Sequence, residues 1–435
     1  MNQTHLTISV RFKLFIILFC YVFAFYLKGL SVSILIGFAL WGVACFNKPL
    51  WSECVKVLRS SYIKNVIVVW SILVMFSIAY PLILSTYDLT FFRLVGAQGL
   101  HLFSAIPVFG WLAYAGINHK DVEKYFGYIF IVQTFIQIVV LLSPTLSTAI
   151  LEFNHYDPDI VVGLGSGIRG KALSAATTYH LTMAYGIAFI IYIKNYFHDD
   201  VSPFTIMGAL ALFVGIFFAG RSGFVACLVG ALGFLFYPRI QNNIRGKIIF
   251  KTLVYVLASI ALLFVLIMAL APDFMKLVTD QILPYAFEFL YSMGDSGEME
   301  TASTNRLQEM WQTDFTAREL LVGTGRYTNP DGSFYKHVDP GILRHMLFMG
   351  LVGYGVLIVY QLILLPAWKM KNFSTKYYYM LILLFLFGME YKCINIGVNK
   401  FAFSISLLLS YSYFYLGGDN EDDTNKELLT NKENI

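Results

Sequence analysis

Charged residues are scarce in this chain. Only 13% of its 435 residues are Asp, Glu, Lys or Arg, whereas 57% are hydrophobic. Soluble globular domains carry about 25% charged residues and about 45–50% apolar ones. No soluble core needs this much apolar surface, so we expect a lipid bilayer to be the solvent for most of the chain. The 39 Phe and 28 Tyr suit lipid contact and interfacial belts.

Patterns for disulfides, metals and nucleotides are lacking as well. The five cysteines form no CxxC pair, which excludes a disulfide framework and a zinc site. The net charge of +4 does not indicate a nucleic-acid partner, because the basic residues lie in short connections between apolar runs. The segment 165–170 matches GxGxxG, but it lies between apolar runs rather than inside a βαβ unit, so no cofactor is predicted.

Long apolar runs dominate what is present. They predict an all-α polytopic membrane protein of about 12 transmembrane helices. The first run, 12–27, lacks a small-residue cleavage site and leads straight into another run, so we interpret it as a retained helix rather than a signal peptide. The runs fall near 12–27, 30–46, 65–85, 91–117, 126–149, 179–196, 203–219, 222–238, 249–270, 343–367, 377–395 and 400–416.

Basic residues concentrate in alternate connections. Those at 47–64, 118–125, 239–251 and 368–376 are rich in Lys or Arg. The positive-inside rule makes them cytoplasmic and places both termini in the cytoplasm. Two large loops, 150–178 and 271–342, then face outward. We expect one transmembrane domain, 1–416, that includes both loops, and a disordered cytoplasmic tail, 417–435.

The outer loop 271–342, between the ninth and tenth apolar runs, is predicted to be partly helical. Apolar residues recur at helical spacing over 274–290, which indicates an amphipathic helix at the membrane interface. A second helix is expected to follow a polar stretch. Its candidate caps are Ser303, Thr304 and Asn305, and its apolar face would carry Leu307, Met310 and Trp311.

Arginine occurs where the positive-inside rule disfavours it. Arg221 lies in a tight connection between two apolar helices, where a guanidinium without an anion would lose hydration. Because guanidinium binds phosphate oxygens bidentately, convergent arginines are a metal-free way to hold a pyrophosphate. The alternative is that these side chains reach lipid headgroups or pair with acids of the outer loop. The arginines mapped to outer loops or outer helix ends are Arg93, Arg169, Arg221, Arg306, Arg326 and Arg344.

Candidate acid–base residues lie near the start of the tenth apolar run. His337 or Asp339 could remove a proton if the loop folds back over a membrane cavity. The alternatives are a helix cap for Asp339 and a solvated side chain for His337. Further polar candidates are His345, His180 and Glu390.

Short motifs then follow one another in a recognisable order. A Gly-Arg-Ser-Gly turn at 220–223 opens an apolar helix, and a long outer loop follows one helix later. That loop contains Thr304-Asn305-Arg306-Leu307 and Leu320-Leu321-Val322-Gly323-Thr324-Gly325. Asp339-Pro340-Gly341 then leads into Gly350-Leu351-Val352-Gly353-Tyr354. From roughly 165 to 365, this order resembles the O-antigen polymerase and O-antigen ligase superfamily.

The resemblance implies a membrane-embedded fold of the GT-C type. It also implies metal-independent glycosyl transfer at the periplasmic face of a bacterial inner membrane. The donor would be a glycan on undecaprenyl pyrophosphate, which carries its own leaving group, so no cofactor is needed. Expected partners are this lipid-linked oligosaccharide, the bilayer and a chain-length regulator. In this scheme Arg221, His337 and Asp339 would be catalytic, and the substrate-binding residues would be Arg169, Arg306, Arg326 and Arg344.

Three functions remain open from the sequence. The leading hypothesis is a polymerase that joins lipid-linked repeat units. The closest alternative is a ligase that transfers the finished glycan from the same donor to lipid A–core. A transporter or flippase belongs to another class, and it is disfavoured because the spans hold few ionisable residues and no strong internal repeat is seen.

Overall fold

The computed structural model describes residues 7–27, 29–153, 172–176, 178–197, 201–240, 242–270 and 302–418. Several sequence-based expectations concern residues outside these ranges. They are Arg169 with its glycine-rich segment, most of the loop 150–178, the amphipathic helix over 274–290, and all but the first residues of the tail 417–435.

The described chain is almost entirely helical. Each apolar run identified in the sequence coincides with or overlaps a helix. In chain order the helices are α1 Ile8–Phe23, α2 Val32–Phe46, α3 Lys48–Arg59, α4 Ser61–Ile83, α5 Thr90–Tyr114, α6 His119–Leu142, α7 Pro144–Phe153, α8 Tyr179–Tyr196, α9 Pro203–Ala219, α10 Phe224–Leu235, α11 Asn242–Leu270, α12 Ala302–Trp311, α13 Ala317–Leu321, α14 Gly341–Leu364, α15 Phe373–Met389 and α16 Lys400–Tyr415. One short hairpin pairs β1 Tyr26–Leu27 with β2 Leu30–Ser31.

Four of the described helices are long and apolar enough to cross a bilayer. They are α4, α5, α6 and the stretch Gly341–Lys369, which contains α14. Shorter apolar helices accompany them, including α2, α9 and α15. This confirms a helical membrane protein, whereas the number of crossings stays a prediction.

Two local predictions were wrong, and one predicted connection contains a helix of its own. The connection 47–64 contains the helix α3, which begins after the Asn47 cap. The run 126–149 is split between α6 and α7, because proline lacks an N–H and favours the first position of a new helix. Ser303, Thr304 and Asn305 are not caps, because α12 begins at Ala302 and includes all three.

The chain forms two compact units. Unit 1 comprises Met1–Ile129, Phe315–His337 and Gly341–Ile435. Unit 2 comprises Phe130–Asp314 and Val338–Pro340.

Several polar side chains in the helices of unit 1 are paired within the protein. The Gln98 amide donates to the carbonyl of Gly397 at 2.6 Å, and Tyr360 donates to Gln98 Oε1 at 3.2 Å. The backbone N–H of Gly397 donates to Gln361 Oε1 at 3.2 Å. Lipid offers no hydrogen-bond partner, so such pairs link helices within the membrane.

The centre of unit 2 is organised around Tyr185 on α8. Its hydroxyl donates to Gln137 Oε1 at 2.9 Å and lies 3.1 Å from Thr134 Oγ1. Gly215 on α9 allows this approach, because a Cβ there would lie 2.3 Å from both Thr134 Oγ1 and the Tyr185 ring.

Helix α14 is broken at Met349–Gly350. Gly350 has φ of 66°, in the left-handed region that favours glycine. The break leaves the Leu347 and Phe348 carbonyls open, and they accept from the N–H groups of Thr324 at 2.6 Å and Gly325 at 2.9 Å. Irregular backbone at membrane depth is tolerated where protein satisfies its hydrogen bonds in this way. The motif 320–325 is therefore docked onto the break at Gly350.

Gly350→Ala should destabilise the protein strongly. A Cβ at this position would lie 2.5 Å from the Leu321 carbonyl oxygen and would adopt a strained φ. The conformational strain alone costs about 2 kcal/mol. We expect a lower thermal unfolding midpoint in detergent. Gly355→Ala in the same helix is the matched control, since its Cβ would meet nothing within 4 Å. Equal midpoints for the two variants would contradict the docking.

Candidate functional site

The sequence-predicted site residues divide between the two units. Arg326, His337 and Arg344 belong to unit 1, whereas Arg221, Arg306 and Asp339 belong to unit 2. Arg344 is buried, with 4% of its surface exposed. Arg326 and His337 are exposed, and His337 ends a short 3₁₀ turn, Tyr335–His337. The segment 323–337, here called the site loop, covers the first turns of α14.

Asp88 anchors the site loop. Its Oδ2 accepts from the N–H groups of Tyr327 at 2.6 Å and Thr328 at 2.7 Å, and its Oδ1 accepts from the N–H of Thr90 at 3.0 Å. Thr86 adds a hydrogen bond from its hydroxyl to the carbonyl of Gly325 at 2.6 Å. Sequence reasoning missed Asp88, because it reads as an ordinary acid in a connection between two apolar runs.

Burial alone would raise the pKa of Asp88. Hydrogen bonds from Thr328, Thr90 and Tyr327 outweigh that effect and lower the pKa below its usual value. Asp88 therefore stabilises the site loop to the full extent at pH values above the usual carboxyl pKa. This stabilisation is lost as the pH falls through the lowered value.

An ion pair with α13 also holds the site loop. Glu319 forms a capping box with Thr316, and Lys336 Nζ lies 2.8 Å from Glu319 Oε1. The hydrogen bond from Lys336 is the main cause that lowers the pKa of Glu319. Because both residues are partly exposed, this ion pair fixes the position of the site loop but adds little to the stability of the protein.

Arg344 is enclosed by two aromatic rings of the site loop. Its guanidinium carbon lies 4.3 Å from the ring centroid of Tyr327 and 3.3 Å from that of Phe334. Within the described chain, its Nε has no hydrogen-bond partner and no carboxylate pairs with the group. Cation–π contacts contribute about 2 kcal/mol when desolvated, whereas burying an ion costs several kcal/mol. The guanidinium therefore keeps N–H donors that suit a bidentate anion.

Tyr327, which packs on Arg344, is itself buried. Burial raises the pKa of Tyr327 to about 12, and the nearby positive charge of Arg344 opposes this rise. The phenol is therefore neutral at physiological pH. Its buried hydroxyl has no hydrogen-bond partner among the described residues. The hydroxyl is thus a second donor beside the guanidinium.

His345, the residue after Arg344, forms a fully buried pair with Glu390. His345 Nε2 is 3.3 Å from Glu390 Oε1 without the alignment of a hydrogen bond. Glu390 Oε2 accepts from the N–H groups of Asn395 at 2.7 Å and Ile396 at 2.9 Å, and its carbonyl accepts from Gly341 at 2.9 Å. Glu390 thus ties the end of α15 to the start of α14. Gly341 permits this contact, since a Cβ there would lie 2.1 Å from Glu390 Oε1.

Unit 2 holds the remaining predicted residues in separate settings. Arg221 is half-buried in the 3₁₀ turn Arg221–Gly223, where a Cβ on Gly223 would lie 2.7 Å from Thr182. Arg306 is exposed and lies 3.6 Å from Glu309, as the alternative of pairing with loop acids anticipates. Asp339 is exposed, and its N–H points to the Met310 sulfur at 3.3 Å.

Replacing Asp88 with Asn should loosen the site loop. The amide keeps one acceptor but introduces a donor opposite the N–H groups of Tyr327 and Thr328. Hydrogen bonds to charged groups contribute about 1.5–3 kcal/mol, so trypsin should cleave after the exposed Arg326 about tenfold faster.

Asp331→Asn is the matched control for this proteolysis. Asp331 is a carboxylate of the same loop, and its described hydrogen bonds go only to Ser333, at 2.8 and 2.6 Å. We expect its cleavage rate to stay near that of the unmodified protein. Equal acceleration in both variants would show that Asp88 is no anchor.

Comparison with protein-family models finds no family that matches this chain, and comparison with curated proteins finds no significant match.

Proposed function

We propose that this protein is an O-antigen polymerase. In this proposal it transfers a glycan from undecaprenyl pyrophosphate to a lipid-linked repeat unit at the periplasmic face of the inner membrane. The reaction is metal-independent and needs no cofactor. The chain crosses the membrane about 12 times as a GT-C-like fold, with both termini in the cytoplasm. A chain-length regulator is the expected protein partner.

One observation carries the proposal. Motif segments that are far apart in the sequence meet in unit 1 around a buried guanidinium. Residues 320–325 dock onto the break at Gly350, and the loop that follows them encloses Arg344. Residues 320–325 and Gly350 belong to two of the segments on which the family resemblance rests, so their contact supports a shared site rather than chance similarity of short motifs.

The chemistry fits the groups that unit 1 presents. The acceptor hydroxyl oxygen attacks the anomeric carbon, and the bond from that carbon to the diphosphate oxygen breaks. Undecaprenyl pyrophosphate departs with the bonding electrons, and a base accepts the hydroxyl proton. Arg344 stabilises the growing negative charge on the leaving group, because its N–H donors lie in a water-poor aromatic enclosure.

The other predicted residues take supporting parts in the proposal. Arg326 is exposed on the site loop and can bind a phosphate of the undecaprenyl pyrophosphate. His337, or else Asp339, accepts the proton of the sugar hydroxyl. Arg221, Arg169 and Arg306 remain candidates for further contacts with the pyrophosphate.

Arg344→Ala should abolish polymer formation. The assay is lipopolysaccharide gel electrophoresis in a deletion strain that carries the variant gene, with membrane levels checked by immunoblot. Loss of a preorganised charged donor costs about 100-fold or more in rate, so the ladder should collapse to core plus one repeat. Arg344→Lys should restore little, because a lysine lacks the planar fork.

Arg318→Ala is the matched control, since Arg318 is exposed on α13, outside the aromatic enclosure. A full ladder with Arg344→Ala at normal protein levels would refute the role of Arg344. Bare core in the deletion strain, instead of core plus one repeat, would identify the ligase activity in place of the polymerase.

A further inference from the structure

Helix α3 is a short amphipathic helix between two membrane helices. Its 12 residues extend about 18 Å, too short to cross the hydrocarbon core of about 30 Å. Side-chain caps mark both of its junctions. Asn47 Oδ1 accepts from the N–H of Leu50 at 3.2 Å, and Ser60 Oγ accepts from the N–H of Ile63 at 3.3 Å. The chain therefore turns sharply before and after α3.

One face of α3 is buried in unit 1. Leu50, Cys54 and Val57 are at most 1% exposed and follow helical spacing. Cys54 packs closely on α5, where a Cβ added to Gly110 would lie 2.7 Å from the Cys54 sulfur. This packing fixes which face of α3 points outward.

The outward face is basic and largely unpaired. Lys48 and Arg59 on α3 and Lys64 in the first turn of α4 are exposed, and none of them makes an ion pair or side-chain hydrogen bond with a described residue. The acid of this helix, Glu53, is already paired with Lys56 at 2.6 Å. Lys48 also lies at the helix N-terminus, where the helix dipole adds positive potential. The surface thus favours an anion strongly.

Apolar side chains lie beside these cations. Trp51 is 46% exposed, Leu58 37%, and Phe46 at the end of α2 94%. The Trp51 ring contacts Trp41 with a centroid distance of 5.8 Å. Tryptophan and basic residues together are typical of the interface between hydrocarbon and headgroups. A soluble anion would match the cations but leave these apolar groups in water.

The order of α3 and α4 in the chain agrees with a position of α3 at the membrane interface. Helix α4 begins at Ser61, directly after α3, and ends at Ile83, shortly before the Asp88 anchor. Its 23 residues extend about 35 Å, close to the thickness of a bilayer core. Helix α3 therefore lies at the opposite end of a spanning helix from the site loop, at the other membrane surface.

We propose that α3 and the first turn of α4 form a binding site for anionic phospholipid headgroups. Lys48, Arg59 and Lys64 bind the headgroup phosphates of neighbouring lipids, while Trp51 and Leu58 insert among the upper acyl chains. A net negative lipid such as phosphatidylglycerol is the ligand class, because a zwitterionic headgroup cancels most of the attraction. This site is independent of the proposed glycosyl transfer.

The experiment measures lipid-dependent stabilisation of the purified full-length protein in neutral detergent. Phosphatidylglycerol or phosphatidylcholine is titrated into the sample, and the thermal unfolding midpoint gives the apparent affinity. We expect phosphatidylglycerol to raise the midpoint at much lower concentration than phosphatidylcholine, with the difference reduced by high salt. Each basic residue near a membrane surface contributes about fivefold, so Lys48→Gln with Arg59→Gln should weaken phosphatidylglycerol binding about 25-fold.

Arg93→Gln with Arg318→Gln is the matched control, because both arginines are exposed in unit 1 near the site loop, at the other end of α4. Selective loss in the α3 variant supports the site. Equal loss in both variants, or equal affinity for the two lipids in the unmodified protein, would overturn it. If the α3 variant fails to fold, the charge-preserving variant Lys48→Arg with Arg59→Lys must keep the lipid preference and its salt sensitivity, and loss of either would overturn the proposal.

Discussion

Backbone hydrogen bonding inside the bilayer is the constraint on which unit 1 depends, since hydrocarbon offers no partner to an open N–H or C=O. The break in α14 at Gly350 opens two carbonyls, and the N–H groups of Thr324 and Gly325 satisfy them. The segment that supplies these donors continues into the site loop. The position of Tyr327 and Phe334 over Arg344 therefore follows from a backbone requirement several residues away.

Three ionisable groups of unit 1 have different partners: the half-buried Asp88 and the buried Glu390 and Arg344. Asp88 accepts hydrogen bonds from backbone N–H groups, and Glu390 accepts from backbone N–H groups and lies 3.3 Å from His345. Arg344 is stabilised by ring faces, which attract the cation without using its N–H groups. Of these three groups, the guanidinium thus retains the greatest capacity to bind another molecule. That difference is why a buried arginine, rather than the exposed ones, supports the proposed function most directly.

Much of the helical framework was predictable, because a spanning helix must present a long apolar run to lipid. The helices differ from the apolar runs where a local signal competes with that rule. Pro144 begins a new helix inside one apolar run, and α3 lies in a connection that looks polar because only one of its faces is buried. The site was less predictable. Arg344 was anticipated as one arginine among six, but burial and aromatic contacts distinguish it, and Asp88 carried no signal at all.

The sequence by itself determined that this protein is helical, that it belongs in a membrane, and which short motifs could form a site. These properties follow from composition and from local periodicity. Only the tertiary structure decided that residues 320–325 pack on Gly350, that Arg344 is enclosed by Tyr327 and Phe334, and that Asp88 holds the loop in place. Each of these contacts joins residues that the chain brings together only after its helices have packed, and no local pattern encodes such a meeting.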